Sequence, residues 1–347
     1  MEELEAAAGR VIRSGRYING SEVKSFEESL AKAAGVRFCV AVSTGLDALR
    51  LILKAYMELG RLKKGDEVIV PANTFIATFL AVTDCGLVAV AADVNETDFC
   101  LDLGALPISQ RTRAVIPVHL YGNLCWDNAV MEKLREKGIL IIEDAAQAIG
   151  VAGHLGDAAA LSFYPAKNIG ALGDAGACLT NDASLAETIR KLANYGSSEK
   201  YNHELCGLNC RMDELQAAFL SLKLRHLNEI TRRRYEVARR YDRAITNPEV
   251  IKPEILSHCH QAWHQYVIRH PRRDELREYL SQRDINTEIH YPVACHKQPC
   301  YNGHQLLRKY SPLPVAEALV AEVLSLPIAD VTDDDIDIIS RNINSFS

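Results

Sequence analysis

The chain has no apolar run long and clean enough to span a bilayer. Its longest apolar stretch, Val68 to Ala92, is interrupted by Pro71, Asn73, Thr74 and Asp84, and reads as strand, loop, helix and strand. The N-terminal MEELEAAAGRVIRSG is charged and helical and lacks the apolar core of a secretory signal. Basic residues do not predominate: 39 stand against 45 acidic ones, net −6, which excludes a nucleic-acid binder held by global charge. The ten cysteines lack metal-binding spacing. Cys206-x3-Cys210, His258-Cys259-His260 and Cys295-x4-Cys300 make no recognised zinc pattern, so no metal is expected. Scattered thiols in apolar runs imply buried cysteines and a cytoplasmic, reducing setting. Internal repeats and low-complexity segments are also missing.

What is there is an ordinary globular composition, 48% hydrophobic and 24% charged, over 347 residues. At ~150 residues per domain, that length suggests one large and one small domain. Short β-rich runs alternate with amphipathic helices. Helices are expected at Glu22 to Ala34, Gly45 to Leu59, Thr74 to Asp84 and Asn128 to Lys137. Strands are expected at Arg37 to Ser43, Glu67 to Val70, Leu87 to Ala92, Ala114 to Val118 and Ile139 to Ile142, the last running into Glu143-Asp144. That rhythm argues a largely parallel sheet covered by helices. Further strands are read at Ala159 to Tyr164 and Ala177 to Thr180, then a helix at Leu185 to Asn194. Met212 to Ile245 reads as one long helix, with Arg232, Arg233, Arg234, Arg239 and Arg240 on a solvated face. A different module follows: strands Trp263 to Arg269 and Ile285 to His290 around helix Arg273 to Arg283. Helices Val315 to Leu324 and Asp333 to Ile343 close it. The expected division is 1–230 for a large α/β domain and 231–347 for a small α+β domain.

Two segments carry chemistry. In Ile141-Ile-Glu-Asp144-Ala-Ala-Gln147 a carboxylate directly follows an apolar strand, where open α/β sheets place ligands. Taken alone it reads first as a helix N-cap. In Ser162-Phe-Tyr164-Pro-Ala-Lys167-Asn-Ile-Gly170-Ala-Leu-Gly173-Asp-Ala-Gly176 a lysine lies between an apolar strand and three glycines. That glycine pattern is not the dinucleotide fingerprint. Taken alone Lys167 reads as a surface lysine. In a crowded apolar site such an amine becomes a nucleophile and base. Together, a strand-end aspartate and a lysine one β-loop later match the needs of pyridoxal phosphate: a Schiff-base amine and a carboxylate for the pyridine nitrogen.

Here the sequence resembles the DegT/DnrJ/EryC1/StrS sugar aminotransferases, of the aspartate-aminotransferase fold type (fold type I). The resemblance is collinear over nearly the whole chain. It runs through Ser14-Gly-Arg-Tyr-Ile18, Ser43-Thr-Gly45-Leu-Asp-Ala-Leu49, Pro71-Ala-Asn-Thr-Phe75-Ile-Ala-Thr78 and Pro117-Val-His-Leu-Tyr-Gly122. It continues through Glu143-Asp-Ala-Ala-Gln147, the Ser162 to Lys167 segment and Gly207-Leu-Asn209-Cys-Arg211-Met-Asp-Glu-Leu-Gln-Ala-Ala218. His290-Tyr-Pro292 and Ser325-Leu-Pro327 end the series.

The resemblance implies an aminotransferase in which Lys167 forms the Schiff base and Asp144 pairs with the pyridinium. Gln147 would bond the ring hydroxyl, and Phe75 would stack on the ring. The backbone N–H groups of Gly45 and Leu46, with the Ser162 hydroxyl, would hold the phosphate. Asn209 would reach the phosphate of a partner subunit, which implies a homodimer with shared sites. Within the family, His119-Leu-Tyr-Gly-Asn-Leu-Cys125 and Tyr195-Gly-Ser-Ser-Glu-Lys200-Tyr201 look most like aminotransferases of nucleotide-linked 3-keto-6-deoxyhexoses. Tyr164, Lys200, His290 and Tyr291 match their sugar-nucleotide contacts. The implied donor is glutamate, leaving 2-oxoglutarate. A 4-keto sugar acceptor and a non-catalytic binding or regulatory role on the same scaffold are the alternatives. A related dehydratase replaces the Schiff-base lysine, typically by histidine, and Lys167 argues against it.

Overall fold

The computed structural model describes residues 2–151, 156–255 and 261–347. The His258-Cys259-His260 triplet lies outside the described residues. In chain order the first elements are α1 (Glu2–Ser14), α2 (Ser21–Ala34), β1 (Phe38–Val42), α3 (Gly45–Glu58), β2 (Glu67–Pro71), α4 (Ala77–Asp84) and β3 (Val88–Ala92). Then come β4 (Thr112–Val115), α5 (Asn128–Glu136), β5 (Leu140–Asp144), β6 (Ala158–Ser162), β7 (Gly176–Thr180) and α6 (Ala183–Ala193). They are followed by β8 (Ser197–Glu199), β9 (Asn202–His203), α7 (Glu214–Leu224), α8 (Leu227–Ala244), β10 (Tyr266–Arg269) and α9 (Arg273–Ser281). The last are β11 (Leu307–Lys309), α10 (Pro314–Glu322), β12 (Val323–Leu326) and α11 (Asp333–Asn344).

Eight strands form one sheet in the order β1-β7-β6-β5-β4-β2-β3-β11. Only β7 runs against the others, pairing antiparallel with both β1 and β6. Alternate residues of each strand face opposite sides, so both faces need cover. On one side Val40, Val42, Val68, Val70, Ile142 and Ala160 pack under α3, α4 and α6. On the other, Ala41, Leu161 and Leu179 meet α2 and α7, while Ile69, Val90 and Ile141 meet α5. Within α3, Leu49, Leu51, Ile52 and Leu53 are all buried. Each contributes roughly 1.5–3 kcal/mol over an exposed position.

A separate apolar cluster is built by α8 (Val237, Tyr241), β10 (Ile268), α9 (Leu276, Leu280), β12 (Leu324) and α11 (Ile336, Ile339). Here β10 and β12 pair antiparallel. Between those elements the chain returns to the large sheet, where β11 adds an edge strand parallel to β3.

Four readings of the sequence are corrected. The long helix at 212–245 is two helices. Arg225 N–H bonds Leu222 O and His226 N–H bonds Lys223 O, so a tightened turn breaks the i−4 ladder without glycine or proline. The run Ile285 to His290 is not a strand. Glu288 alone pairs, with Ser325 on the outer edge of β12. The tail of the helix at 315–324 is extended from Val323, because β12 begins there. Nor is the arginine cluster simply a solvated face. Arg234 is buried and donates to the carbonyls of Trp263 and His264, both at 3.0 Å, while Arg233 and Arg240 pair with Asp333 and Asp337. Smaller boundary differences are that α4 begins at Ala77, β4 ends at Val115, β6 ends at Ser162 and β10 begins at Tyr266. No helix among the described residues is long and apolar enough to cross a membrane.

Candidate active site

Because β1, β2, β4, β5 and β6 run in one direction, the loops leaving them meet at one edge of the sheet. That edge carries Thr44 to Leu46, Asn73 to Thr78, Pro117 to Gly122, Asp144 to Gln147 and Ser162 to Lys167. Register fixes the alignment across three strands: Val42 pairs with Gly176, and Gly176 with Ser162. Gly176 needs to be glycine here, since a Cβ would stand 2.3 Å from the Thr44 carbonyl oxygen. Gly45 is equally constrained: a Cβ would lie 2.7 Å from Ser162 Cβ.

That close approach brings the start of α3 against Ser162. Thr44 caps the helix, its Oγ1 accepting from Asp47 N–H at 2.9 Å. The N–H groups of Gly45 and Leu46 have no acceptor among the described residues, and they carry the positive end of the helix dipole.

Asp144 ends β5 and is buried. Its Oδ2 accepts from the Thr78 hydroxyl at 2.8 Å, and its Oδ1 from Ala146 N–H at 3.2 Å. Thr78 in turn accepts from Thr74 at 3.1 Å. Burial pushes the Asp144 carboxyl up from its ordinary value. The Thr78 and Ala146 bonds and the charge of Lys167 pull it back only in part. A cation at this carboxylate would complete its compensation.

Next to Asp144 in the chain, Glu143 is fully buried and meets His119 Nε2 at 2.8 Å. Cys125 N–H donates to His119 Nδ1 at 3.1 Å, so the ring proton sits on Nε2 and points to Glu143.

Lys167 lies in the turn after β6, half-buried, with its N–H bonded to Tyr164 O at 2.8 Å. Its ammonium has no hydrogen-bond or ion-pair partner among the described residues. Desolvation lowers its pKa to about 8, against the opposing pull of Asp144. An amine so placed is substantially neutral at the pH where an ordinary lysine is fully charged.

The far wall comes from residues 290–291. Gln147 Oε1 accepts from Tyr121 N–H at 2.6 Å, and its Nε2 donates to Tyr291 OH at 3.1 Å. The Tyr121 hydroxyl donates to His290 O. The rings of Phe75 and Tyr291 lie 5.6 Å apart, and Phe75 is 54% exposed. Gln265 Nε2 donates to His290 Nε2 at 2.8 Å, which places the ring proton on Nδ1, facing Ser325 Oγ at 2.8 Å.

The structure thus gathers Asp144, Gln147, Lys167, His290 and Tyr291, with Gly45, Leu46, Ser162 and Phe75 on the same edge. Three other sequence candidates sit outside that cluster. Tyr164 is 56% exposed. Lys200 is exposed at the tip of the β8–β9 hairpin, its Nζ 5.0 Å from the centre of the Tyr201 ring. Asn209 is exposed on a strip bridged to Asn194, one residue from the Cys210 carbonyl that bonds Ser43 N–H. No role was read from sequence for Thr78, His119, Tyr121 or Gln265. The first three lie inside quoted motifs, and the i, i+4 spacing of Thr74 and Thr78 was the available signal. Among the described residues no group of three or more His, Cys, Asp or Glu could hold a metal.

A mostly parallel sheet with a buried carboxylate, a weakly basic lysine and an open helix N-terminus on one edge defines an α/β enzyme of the aspartate-aminotransferase fold. The chain belongs to the DegT/DnrJ/EryC1/StrS aminotransferase family, whose sequence profile matches residues 1–344. This is a family of pyridoxal-phosphate-dependent enzymes, and the chain is a transaminase. It is 44% identical over 336 residues to the erythromycin biosynthesis sensory transduction protein EryC1 of Saccharopolyspora erythraea, covering 94% of this chain and 90% of the relative. It is 43% identical over 335 residues to the dTDP-3-amino-3,4,6-trideoxy-alpha-D-glucose transaminase of Streptomyces venezuelae, covering 94% and 87%. Among solved structures, S. venezuelae DesV in complex with a ketimine intermediate superposes with a TM-score of 0.92. That pair is 40% identical, over 99% of this chain and 94% of that one.

Proposed function

We propose that the chain moves an amino group from glutamate to the 3-keto carbon of a nucleoside-diphosphate-linked 6-deoxyhexose, using pyridoxal phosphate held at the sheet edge. The observation that carries this reading is the pairing of Lys167 with Asp144. Among the described residues, one is an amine of lowered basicity with no hydrogen bond and the other a buried carboxylate without a cation at contact distance.

The residues present fit the cofactor. Two N–H groups, at Gly45 and Leu46, without an acceptor among the described residues and beside the Ser162 hydroxyl, suit a phosphate dianion. Asp144 suits a protonated ring nitrogen, and the exposed face of Phe75 suits a flat ring. Gln147 stands within one hydrogen bond of Tyr291 and offers its amide N–H at the same wall.

Bound pyridoxal phosphate supplies an electron sink and carries the amino group between the two substrates. The chain's own groups do the rest. Lys167 Nζ takes the proton from the donor α-carbon and later delivers one to the sugar carbon that gains the amine. Asp144 holds positive charge at the ring nitrogen by staying ionised. Thr78 and Ala146 N–H keep its oxygens oriented. Phe75, packed against Tyr291, offers the exposed face of its ring to a flat group. His290, held neutral by burial and by the Gln265 and Ser325 bonds, and Lys200 are assigned to the sugar nucleotide. Asn209 is assigned to the phosphate of a second copy, making a two-fold dimer with composite sites.

The relatives support the nucleotide-sugar class: the S. venezuelae transaminase named above is a dTDP-3-amino sugar enzyme. The test is to incubate enzyme and glutamate with a panel of 3-keto and 4-keto nucleotide sugars. Turnover of the 3-keto compounds is expected. Efficient amination of a 4-keto compound alone would replace this substrate assignment.

A further inference from the structure

The chain between Ala262 and Gln265 touches the lysine loop, Tyr121, α8 and His290 at once. Asn168 follows Lys167 and is buried. Its Nδ2 donates to Ala262 O at 2.7 Å, and a carbonyl can only accept, so the amide orientation is fixed. Asn168 Oδ1 therefore faces His264 Nδ1 at 3.2 Å, and that nitrogen must carry the ring proton. His264 Nε2 is left as a lone pair with no hydrogen bond among the described residues. From behind, buried Arg234 donates to the carbonyls of Trp263 and His264, and Ala262 N–H bonds Gly122 O at 2.8 Å. Trp263 takes φ of +46°, and Gly122 lies so close that a Cβ would meet Trp263 N at 2.8 Å. The strap has little room to shift.

The charged and titratable groups facing His264 are Lys167 from the loop after β6, Arg234 from α8 and His290 from the opposite wall. Burial, and then the charges of Lys167 and Arg234, disfavour a further positive charge, so the ring stays neutral through the ordinary pH range. Asp144, at the end of β5, is the carboxylate that faces Lys167.

We propose that His264 is a positioning residue for Lys167: its neutral ring pins the lysine loop through Asn168 and keeps water out from beneath the amine. This rests on Lys167 being the working amine, as assigned above. The consequence is specific. Unpinning the loop rehydrates the ammonium, and a rehydrated ammonium is a stronger base.

The experiment is competitive labelling of the full-length chain, free of small molecules, with an amine-selective reagent across pH. The Lys167 peptide is quantified by mass spectrometry. In the native chain the labelling midpoint of Lys167 should fall near its lowered value of about 8. His264→Ala should raise it by about one unit or more. Asn168→Ala, removing the same bond from the other side, should raise it by a similar amount. His264→Asn keeps an amide N–H near the Nδ1 position and should return the midpoint to within about 0.3 unit of the native one. A fall in thermal stability with no change of midpoint would show a merely structural histidine and overturn the proposal. So would an Asn variant that behaves like the Ala variant. Labelling needs no cofactor. A native chain that took up no pyridoxal phosphate would therefore overturn the proposed function and leave this result standing.

Discussion

The inner and outer halves of the site are built differently. On the inner side Asp144 has Thr78 and Ala146, Gln147 has Tyr121 and Tyr291, and Gly45 abuts Ser162. All of these partners but Tyr291, which stands on the far wall, belong to this chain's own sheet edge. On the outer side Lys200 rests on Tyr201, Asn209 has no side-chain hydrogen bond among the described residues, and Tyr164 is half exposed. On the proposed reading, one chain supplies the groups for a phosphate, a ring nitrogen and an amine. Its remaining groups face solvent, where a substrate and a second subunit would meet them.

Breaking the inner half should have the largest effect. Lys167→Ala removes nucleophile and proton carrier together, and turnover should fall by about 10³-fold or more. Steady-state transamination checks it. Asp144→Asn keeps the shape and the Thr78 contact but loses the charge. Turnover should drop by about 10²-fold with cofactor still retained, as measured by absorbance after gel filtration. An asparagine variant turning over glutamate at near the native rate would remove the ring-nitrogen role.

The outer half is sharpened by complementation. Asn209→Asp should repel a phosphate across the dimer and leave its own homodimer nearly inactive. Refolded together with Lys167→Ala, half the dimers are mixed, and each mixed dimer carries one intact site. About a quarter of all sites should then recover. Absence of recovery despite mixed dimers in mass spectrometry would place Asn209 within its own subunit's function or outside it. Lys200→Ala is expected to do least. An exposed charge is worth about 1 kcal/mol or less, so KM for the sugar nucleotide should rise up to about fivefold with kcat unchanged.

The same division governs what could be read from the sequence. The inner residues lie at the ends of apolar strands and in glycine-bearing turns, where local pattern reports position. Asp144 and Lys167 stand out as a pair for that reason, while Ser162 enters only through the family resemblance. Contacts made by distant segments left no local mark. The Thr78–Asp144 bond spans 66 residues. His264 reaches Asn168 across 96. Elements whose form is set by tertiary pairing were misread. β12 looks helical because Val323 and Leu324 continue an apolar helix face, yet β10 holds them extended. The break at Arg225 and His226 carries no glycine or proline to announce it. Arg234 looked like its charged neighbours until two backbone carbonyls accounted for its burial.

The proposed catalytic centre turns on one amine. Borohydride reduction of the native protein in the presence of pyridoxal phosphate, followed by peptide mapping, measures it directly. The reduced adduct should appear on the Lys167 peptide and on no other, and should vanish in Lys167→Ala. An adduct on a different lysine, or none at all, would contradict the assignment of this sheet edge as the catalytic centre.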